Sequence, residues 1–458
     1  MAGNIDDKKR LVVLGGGESG VGAAILAKAR GMDVFLSDAG TIAPRYVAEL
    51  ERRGIPFEQG GHTPGLVLDA DEVVKSPGIP PTAPLVRQLA EKGTPIISEI
   101  EFGGRYTDSK MVCITGSNGK TTTTMLIYHI LREAGVDAGL AGNVGRSLAW
   151  QVAEDPHEVY VVELSSFQLE NMYDFRANIA VLMNITPDHL DRYDYEMQNY
   201  INAKFRILRN QTPCDAFIFW EDDPVIRRQL ERVSTEARLF PFAEHREEGA
   251  AAWIDEDGEL VLDTAEQKLR MPRRELALRG LHNLFNSMAA GLSACLMDVR
   301  NEDIRRALGD FEGVEHRLEP AGMVDGVRWI NDSKATNVNS CWYALESMPA
   351  GKQTVLILGG KDKGNDYSEI LPLVREKVKG IVAMGKDNAK IVDFFSGEVP
   401  ELRDTHSLDE AVAAARGIAG EGDVVLLSPC CASFDLFTSY EDRGRRFKEA
   451  VRNLAATK

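Results

Sequence analysis

A glycine-rich turn between a predicted strand and a predicted helix constrains the fold of this chain more than any other feature. The apolar stretch Met111–Ile114 leads into Thr-Gly-Ser-Asn-Gly-Lys-Thr-Thr at 115–122, and apolar residues at helical spacing follow as far as Gly135. A strand, a glycine turn and a helix N-terminus together form a phosphate cradle. The loop is shorter than the usual G-x-x-x-x-G-K-[ST], because Gly116 and Gly119 are only three residues apart. We therefore predict an α/β protein that binds a nucleotide.

Lys120 and Thr121 indicate that the bound anion is a triphosphate with a metal ion. A lysine at this position reaches the terminal phosphates, and the following hydroxyl ligates a bridging Mg2+. Glu163 and His189 each come at or after the end of a later apolar strand, and ligands of a parallel sheet gather at the carboxyl ends of its strands. We therefore expect Glu163 to hold Mg2+ and His189 to be functional at the same edge.

Lys204 lies in a helix-like segment between Tyr195 and Leu208. Its spacing alone favours a surface lysine. A protonated amine cannot ligate a cation, so Lys204 could do so only after CO2 converts it to a carbamate. The residue pattern by itself does not lead to that chemistry.

A second glycine loop lies near the N-terminus. Gly15-x-Gly17-x-x-Gly20 follows the predicted strand Leu11–Leu14, and Asp38 ends the next strand. This pattern fits a dinucleotide fingerprint, with a phosphate on the helix N-terminus and a hydroxyl on the aspartate. A UDP group satisfies the same geometry, and so does a tight turn without a ligand. NAD is less favoured, because the chain already has a separate triphosphate loop.

Composition limits the remaining function classes. The formal net charge of -17 argues against nucleic acid as the main partner, because phosphate binding needs a basic surface. No apolar run approaches the ~20 residues that span a bilayer, so we expect no membrane insertion. The polar start of the chain leads us to expect no signal peptide. The six cysteines form no C-x-x-C pair, and we interpret all six as reduced, buried thiols of a cytoplasmic protein.

The chain divides into three α/β blocks, predicted at 1–101, 102–312 and 313–458. Helical patterns separate the strands, as parallel sheets require. We expect a Rossmann-like N-terminal domain, a central P-loop-type ATPase domain with a mostly parallel sheet, and a Rossmann-like C-terminal domain. A hairpin at Asp257-Gly258 is predicted within the central block.

Motifs along essentially the whole chain resemble those of the Mur ligase family of ATP-dependent amide-forming enzymes. The Glu-Leu-Ser-Ser-Phe-Gln and Ser-Pro-Cys-Cys-Ala-Ser-Phe-Asp motifs are similar to its D-glutamate-adding branch. The matching segments are Thr115–Thr122, Gly142–Gly145, Glu163–Glu170, Asp188–Tyr193, Asn202–Arg206, Gly280–Asn286, Glu315–Arg317, Asn331–Asn337, Gly359–Gly364 and Leu427–Asp435.

The resemblance implies a three-domain ligase of cytoplasmic peptidoglycan precursor synthesis, and therefore of cell wall biogenesis, cell shape and cell division. The first domain would bind UDP-N-acetylmuramoyl-L-alanine, the second ATP and Mg2+, and the third D-glutamate. ATP would phosphorylate the substrate carboxylate, and the D-glutamate amine would then attack the acyl phosphate, giving ADP and phosphate. A carboxylate is a poor electrophile, and phosphorylation supplies it with a leaving group. We expect domain closure and a monomer.

The resemblance also implies residue roles, which follow group by group. The catalytic residues would be Lys120, Glu163, His189 and Lys204, with one Mg2+ on Thr121 and Glu163 and a second on His189 and carbamylated Lys204. ATP would contact Gly116, Ser117, Asn118, Gly119, Lys120, Thr121, Thr122, Asn283, Asn286, Arg317 and Asp332. The UDP substrate would contact Ser19, Gly20, Asp38, Gly78, Asn143 and Ser165. D-glutamate would contact Lys334, Thr336, Lys363, Ser433 and Tyr440.

Some positions depart from the family pattern. Glu18 lies in the first glycine loop, where we expect it to point away from a diphosphate or to meet a counter-charge. Ala39 follows Asp38 and offers no hydroxyl, and Tyr440 stands at an aromatic position. Lys363 is chosen over Lys361 for the ligand contact.

Three alternatives remain open at this stage. A sister Mur ligase or a folylpolyglutamate-synthase-like ligase would share the fold and use another acceptor. An NAD-dependent oxidoreductase would use the Gly15 loop, and it leaves Lys120, Glu163 and the third block unexplained. A nucleotide-sensing protein without turnover is the last alternative.

Overall fold

Alternating strands and helices build a parallel sheet from the N-terminal part of the chain. The computed structural model describes residues 9–456. Its first sheet has five strands in the order β3-β2-β1-β4-β5, all parallel. The elements are β1 (Arg10–Leu14), α1 (Glu18–Ala29), β2 (Asp33–Asp38), α2 (Pro44–Arg52), β3 (Phe57–Gln59), α3 (Pro64–Val67), β4 (Glu72–Lys75), α4 (Pro84–Lys92), β5 (Ile96–Ile97) and α5 (Glu99–Gly104).

The strand order places a crevice at the carboxyl end of β1. The chain runs outward in both directions from this strand, and ligands of open α/β sheets bind at such a reversal. Gly15 follows β1 with a φ of 103°, and a Cβ there would lie 2.3 Å from Oγ of Ser76 in the turn after β4. A Cβ at Gly20 would lie 1.9 Å from the Gly15 carbonyl oxygen. Glycine is therefore required where the first loop meets this turn.

The second sheet has nine strands in the order β14-β13-β12-β11-β10-β9-β6-β8-β7. Its pairs are parallel from β7 to β12, and β12, β13 and β14 pair antiparallel. The hairpin predicted at Asp257-Gly258 is confirmed. The strands are β6 (Lys110–Thr115), β7 (Ala138–Gly142), β8 (Val159–Glu163), β9 (Ile179–Leu182), β10 (Ala216–Trp220), β11 (Arg238–His245), β12 (Ala252–Ile254), β13 (Glu259–Asp263) and β14 (Lys268–Pro272).

Helices cover this second sheet, and the one that opens at the phosphate loop follows β6 directly. They are α6 (Lys120–Glu133), α7 (Leu148–Glu154), α8 (Ser166–Leu169), α9 (Met197–Phe205), α10 (Pro224–Leu230), α11 (Leu281–Cys295) and α12 (Asn301–Asp310), with 3-10 turns at Leu190–Tyr193, Arg206–Leu208 and Arg273–Glu275. The helix-like segment predicted as far as Leu208 therefore changes to 3-10 geometry after Phe205.

The third sheet has six strands in the order β15-β16-β20-β17-β18-β19, and only the β15–β16 pair is antiparallel. Its elements are β15 (Glu319–Val324), β16 (Val327–Asn331), α13 (Val338–Glu346), β17 (Thr354–Leu358), α14 (Leu371–Lys377), β18 (Val378–Met384), α15 (Ala389–Phe395), β19 (Glu401–Thr405), α16 (Leu408–Ile418), β20 (Val424–Leu427) and α17 (Tyr440–Ala456), with a 3-10 turn at Tyr367–Glu369. Three α/β sheets, two of them Rossmann-like, match the predicted fold class.

The described chain forms two compact units. One ends its main part at Leu276 and includes Phe285–Asp310, and the other includes Ala277–Leu284 and continues from Phe311. The first unit therefore contains the first and second sheets, joined by one hydrophobic core that runs through α1, α5 and α7. A Cβ at Gly22 of α1 would lie 2.0 Å from Oγ of Ser147, which caps α7. Glycine thus allows the two sheet layers of this unit to approach closely.

Two expectations about composition need comment. Five cysteines are buried, but Cys214 is exposed, so its assignment as a buried thiol was wrong. Cys214 lies in the turn before β10, where a backbone bend rather than packing fixes the chain. Among the described residues no helix is long and apolar enough to cross a membrane. The segment for which we expected no signal peptide begins with residues 1–8, which lie outside the described residues.

Glu99 gives the first unit a pH-dependent stability. Its side chain is 3% exposed, and Oε1 accepts hydrogen bonds from Ser147 Oγ at 2.7 Å and from the Ala149 N–H at 2.6 Å. Burial raises the pKa of Glu99 from 4.5 to about 7, with a smaller contribution from the nearby Glu18. The folded chain therefore keeps this proton over a range in which the unfolded chain has already released it.

We predict that Glu99→Gln flattens the pH dependence of unfolding. Because the folded pKa lies above the unfolded one, the stability is fully present below about pH 4.5 and is lost as the pH rises toward 7. Glutamine cannot ionise and keeps an acceptor for both donors, so the variant should gain up to about 3 kcal/mol relative to the wild type between acid and neutral pH. Urea unfolding at pH 5 and pH 8 measures this difference. The exposed Glu51→Gln is the matched control, and parallel wild-type and Glu99→Gln profiles would contradict the prediction.

Candidate functional site

The phosphate loop occupies residues 116–119, between β6 and α6. Gly116 has a φ of 147° and Gly119 a φ of 82°, in the range that favours glycine. A Cβ at Gly116 would lie 3.0 Å from Cβ of Met183, and one at Gly119 would lie 2.6 Å from Oδ1 of Asn286. The two glycines are therefore fixed by backbone conformation and by close neighbours.

Asn184 and Thr186, which follow β9, hold the loop in shape. The Ser117 N–H donates to the Asn184 carbonyl at 2.9 Å, and the Asn118 N–H donates to Asn184 Oδ1 at 2.8 Å. Asn184 Nδ2 returns a bond to the Asn118 carbonyl at 3.1 Å, and Ser117 Oγ donates to the Thr186 carbonyl at 2.8 Å. Sequence reasoning assigned no role to Asn184, although an amide at the end of the adjacent strand was a usable signal.

Two lysines converge on one carbonyl oxygen of the loop. Lys120 Nζ donates to Gly116 O at 2.8 Å and to Ser117 O at 2.9 Å, and Lys204 Nζ donates to Gly116 O at 2.7 Å. Lys204 is 1% exposed, so the surface position favoured by its spacing was wrong. It lies on α9, whose inward face packs into the core of the first unit. The side-chain nitrogens of two lysines therefore meet at one oxygen of the phosphate loop.

Burial keeps the pKa of Lys204 well below its usual range, and the nearby charge of Lys120 lowers it further. The carboxylates of Asp188 and Glu163 act in the opposite direction. The same residue is thus within electrostatic range of one cation and two anions. Burial and Lys120 outweigh the two carboxylates, so the surroundings favour the neutral amine form of Lys204.

Glu163 ends β8 at the position paired with Ile114 of β6 and is 1% exposed. Its Oε1 accepts from Asn143 Nδ2 at 2.9 Å, and its carbonyl accepts from the Asn143 N–H at 2.9 Å. Thr121, in the first turn of α6, is also buried. The carboxylate predicted to hold Mg2+ thus lies at the carboxyl end of β8, and the hydroxyl lies in the first turn of the helix that follows the adjacent strand β6. Asn143, predicted to contact the UDP substrate, also orients Glu163.

His189 lies on an exposed loop after β9, and its backbone has a φ of 52°. Its Nε2 is 3.7 Å from Oδ2 of Asp188, and its ring packs edge-on against Phe167 with centroids 5.2 Å apart. A histidine in the left-handed region is uncommon and is maintained only where its surroundings determine it. The loop therefore presents the imidazole in one defined direction.

Asp38, at the end of β2, accepts a hydrogen bond from the first glycine loop. Asp38 Oδ2 accepts from the Gly16 N–H at 2.5 Å, and Oδ1 accepts from the Gly40 N–H at 2.7 Å. Glu18 accepts from the Tyr46 hydroxyl at 2.7 Å and from the Ser147 N–H at 3.4 Å. The carboxylate of Glu18 is thus turned toward neutral donors rather than toward a counter-charge.

The remaining residues predicted for the UDP substrate lie in the parts of the first unit that contain the first and the second sheet. Ser19 and Gly20 lie in the first turn of α1, and Gly78 is exposed in the turn after β4. Ser165 caps α8, where its Oγ and the side chain of Gln168 form a reciprocal capping box. Ser165 therefore has a local structural role in addition to the predicted one.

In the second unit, Asp332 contacts residues from two neighbouring segments of the chain. Asp332 follows β16 and is 5% exposed; its Oδ2 accepts from Ser428 Oγ at 2.8 Å and its Oδ1 from the Leu318 N–H at 3.3 Å. Burial raises the pKa of Asp332 to about 7, while the charge of Arg317 acts against this rise. Two residues predicted to contact ATP are thus close in this unit.

The predicted D-glutamate residues occupy the same edge of the third sheet with different exposure. Lys334 Nζ lies 5.3 Å from the ring centroid of Tyr440, and Ser433 is 2% exposed. Thr336 is half-buried and Lys363 is exposed. The structure therefore brings Lys334 and Tyr440 into contact and leaves Lys363 on the open part of its loop.

Arg443 is a buried residue that sequence reasoning missed. It is 0% exposed, and its guanidinium donates to Ser333 Oγ at 3.0 Å, to Ser333 O at 2.8 Å and to Cys431 O at 3.2 Å. Burial lowers its pKa to about 10. These bonds tie the loop after β16 to the loop after β20. In the sequence Arg443 is one of several arginines in a charged helix, and nothing distinguishes it.

The two asparagines predicted to contact ATP fall in different units. Asn286 Oδ1 accepts from Thr123 Oγ1 at 3.1 Å in the first unit. Asn283 Nδ2 donates to the Arg279 carbonyl at 2.8 Å in the second. Helix α11, which carries both, therefore belongs partly to each unit.

Fold and phosphate loop together define an ATP-handling enzyme of the three-domain ligase class. Family profiles match three segments of the chain: "Mur ligase MurD-like, N-terminal domain" at residues 9–98, "Mur ligase middle domain" at 114–294 and "Mur ligase, glutamate ligase domain" at 316–431. The chain belongs to the Mur ligase family, and it is an ATP-dependent ligase. This membership decides against the oxidoreductase alternative.

Full-length relatives support the same assignment. A protein of Bacteroides fragilis named UDP-N-acetylmuramoylalanine--D-glutamate ligase is 62% identical, over 97% of this chain and 100% of its own length. A protein of the same name from Porphyromonas gingivalis is 59% identical, over 98% of this chain and 99% of its own.

Solved structures show the same fold at low identity. UDP-N-acetylmuramate-alanine ligase MurC of Thermotoga maritima matches with a TM-score of 0.61 and 19% identity, covering 98% of this chain and 100% of its own. The MurF ligase of Thermotoga maritima in complex with ADP matches with a TM-score of 0.62 and 16% identity, covering 92% and 95%. The three-domain architecture expected from the sequence is thereby confirmed.

Proposed function

We propose that this chain joins D-glutamate to UDP-N-acetylmuramoyl-L-alanine in an ATP-dependent reaction that passes through an acyl phosphate. The observation that carries the proposal is the full-length identity of 62% to a ligase named for these substrates. A sister ligase has the same fold, but relatives of other specificity match at only 19% and 16% identity. The reaction belongs to peptidoglycan precursor synthesis, and we place it in the cytoplasm, with the chain acting as a monomer.

The chemistry requires a carboxylate to attack a triphosphate, and the two anions repel each other. Lys120 lies at the start of α6 with its Nζ at the loop carbonyls, from which it is placed to neutralise the β- and γ-phosphates. Backbone N–H groups at the N-terminus of α6 would supply the rest of the phosphate cradle. The crevice at the carboxyl end of β1 receives the UDP group, with Ser19, Gly20, Asp38 and Gly78 around it.

The buried side chains beside the loop fit a hard divalent cation. Thr121 and Glu163 offer a hydroxyl and a carboxylate oxygen, the donors that Mg2+ prefers. Both are buried, Thr121 in the first turn of α6 and Glu163 at the end of β8. We assign them to one Mg2+, and His189 with the carbamate of Lys204 to a second. Bound Mg2+ would reduce the repulsion between substrate carboxylate and triphosphate.

A carbamate on Lys204 is consistent with its surroundings. Only an unprotonated amine can attack CO2, and burial next to Lys120 holds the pKa of Lys204 well below its usual range. The added carboxylate would place negative charge beside the Lys120 ammonium group and a metal ion. Lys204 would then serve as a ligand that its amine form cannot provide.

D-glutamate is a dicarboxylate, and lysines at the edge of the third sheet suit it. We assign Lys334, Thr336, Ser433 and Tyr440 to this site, together with Lys363 from the exposed part of its loop. Asn283, Asn286, Arg317 and Asp332 are assigned to ATP. Closure of the domains would keep water away from the acyl phosphate.

We predict that phosphate release requires both UDP-N-acetylmuramoyl-L-alanine and D-glutamate. With L-glutamate in place of D-glutamate, the rate should fall by at least about a hundredfold, since a site that positions two carboxylates and an amine rejects the mirror image. Coupled detection of phosphate, with mass analysis of the UDP product, measures the result. Equal rates with another amino acid would instead identify a sister ligase.

We predict that Lys120→Ala lowers phosphate release by at least about a hundredfold, because it removes the cation that screens the attacking carboxylate. Lys110→Ala is the matched control, since Lys110 is exposed at the opposite end of β6. Far-ultraviolet circular dichroism should be the same for wild type and both variants. Retained turnover in Lys120→Ala would overturn the ATP assignment.

We predict that Lys204 carries a carbamate in the wild-type enzyme. Protein equilibrated with 13C-bicarbonate should show a slowly exchanging carbamate carbon signal by nuclear magnetic resonance. Lys204→Met should lack the signal and have little activity, whereas Lys110→Met should retain both. A wild-type spectrum without the signal, or full activity of Lys204→Met, would remove Lys204 as a metal ligand.

A further inference from the structure

A single segment of the first unit extends from the phosphate loop to the first sheet. It begins at Asn184 and Thr186, which bind Ser117 and Asn118 as described above. It continues through His189 into the 3-10 turn Leu190–Tyr193. The far end of this turn contacts the segment after β4. His189, which the proposed function assigns to a metal ion, lies between the two ends.

Arg192 makes the contact at the far end. Its Nη1 donates to the Pro77 carbonyl at 3.1 Å, and its Nη2 pairs with Glu170 Oε2 at 3.1 Å. The guanidinium carbon lies 4.4 Å from the centroid of the Phe167 ring. The side chain of Arg192 is only 10% exposed, so these contacts are largely shielded from water. Arg192 therefore joins the second sheet to the turn Ser76–Ile79 of the first.

The turn itself is held from two directions. Lys75 Nζ donates to the Ile79 carbonyl at 2.8 Å from within β4, while Arg192 donates to Pro77 from the other sheet. The turn also packs against the first glycine loop, since a Cβ at Gly15 would meet Ser76 Oγ at 2.3 Å. Movement of Arg192 would thus shift the surface that faces the β1 crevice.

The loop around His189 depends on such an anchor. His189, Asp194 and Tyr195 all have positive φ angles, at 52°, 56° and 59°. Three left-handed residues that are not glycine are unfavourable in so short a stretch, and they persist only where contacts impose them. The Phe167 ring packs against both the Arg192 guanidinium and the His189 ring. The position of the imidazole is therefore linked to that of Arg192.

We propose that Arg192 is a positioning residue that couples the substrate turn Ser76–Ile79 to the His189 loop. Binding of a UDP-linked substrate in the β1 crevice would fix the position of this turn. Through its contacts with Pro77 and Phe167, Arg192 would then fix the position of the His189 imidazole. Binding of the UDP substrate and binding of the metal at His189 would then strengthen each other, as thermodynamic linkage requires. The inference rests on the proposed function and adds a residue to which that function assigns no contact with ATP, metal or substrate.

We predict that loss of the Arg192 hydrogen bonds weakens the use of the UDP substrate and of Mg2+ much more than the use of ATP. Arg192→Met keeps the contact with Phe167 but loses both hydrogen bonds. The KM for UDP-N-acetylmuramoyl-L-alanine and the Mg2+ concentration at half-maximal rate should each rise about tenfold, the loss expected for hydrogen bonds of a charged group. The KM for ATP should change less than about twofold, because Asn184 and Thr186 hold the phosphate loop without Arg192.

A direct binding measurement tests the coupling. Calorimetric titration of UDP-N-acetylmuramoyl-L-alanine into the wild-type enzyme with a non-hydrolysable ATP analogue should show tighter binding with Mg2+ than without it. In Arg192→Met the two affinities should be equal. Arg192→Lys, which keeps the charge but has one ammonium for two acceptors, should lie between the wild type and Arg192→Met and also serves if Arg192→Met fails to fold.

Arg30→Met is the matched control. Arg30 Nη2 donates to the Tyr106 carbonyl at 3.3 Å, and its guanidinium lies 5.0 Å from the Tyr106 ring centroid. It therefore makes a carbonyl hydrogen bond and an aromatic contact like those of Arg192, away from the segment in question, and its variant should keep the wild-type constants. An inactive wild type would count against the proposed function. An active wild type, with unchanged constants and unchanged Mg2+ coupling in the Arg192 variants, would overturn the coupling role alone.

Discussion

The phosphate loop depends on the carbonyl oxygen of Gly116, which accepts hydrogen bonds from both Lys120 and Lys204. Two ammonium groups at one acceptor repel each other, and burial prevents water from screening them. Burial is the main cause of the low pKa of Lys204, and the nearby charge of Lys120 lowers this pKa further. Negative charge at the loop would therefore be stabilised, and both a triphosphate and a carbamate would supply it. Glycine is favoured at position 116, because its φ of 147° lies in a range that side chains rarely adopt and a Cβ would lie 3.0 Å from Cβ of Met183.

The next level of organisation is the close packing of the two sheets in the first unit. Gly22 allows α1 to approach Ser147 at the start of α7, and Glu99 accepts from the same serine. Arg192 adds a second connection at the functional edge. One connection is buried and affects stability, whereas the other lies at the crevice and is proposed to affect ligand binding. The first and second sheets of this unit are therefore joined at two separate places.

Much of the fold could be predicted from the sequence. Strands such as Val159–Glu163 were predicted to the residue, since a buried parallel strand is a short apolar run with a polar end. The hairpin at Asp257-Gly258 was predicted because its turn chemistry is local. Cys214 and Lys204 were misplaced because burial depends on what packs against a residue from elsewhere in the chain. Asn184, Arg192 and Arg443 received no role, because their partners lie far away along the chain and many of them are backbone groups, which every residue has.

The sequence by itself determined the order of strands and helices, the two glycine loops and the membership of the ligase family. Each of these follows from local spacing, or from side-chain identity at fixed offsets. Only the tertiary structure decided which residues share a site. In the folded chain Asn143 donates a hydrogen bond to Glu163, Asp38 accepts one from the Gly16 N–H, and Lys204 lies beside Lys120. The physical reason is that charge repulsion, burial and hydrogen bonding to backbone depend on distances across the fold, and residue types in a linear chain do not specify these distances.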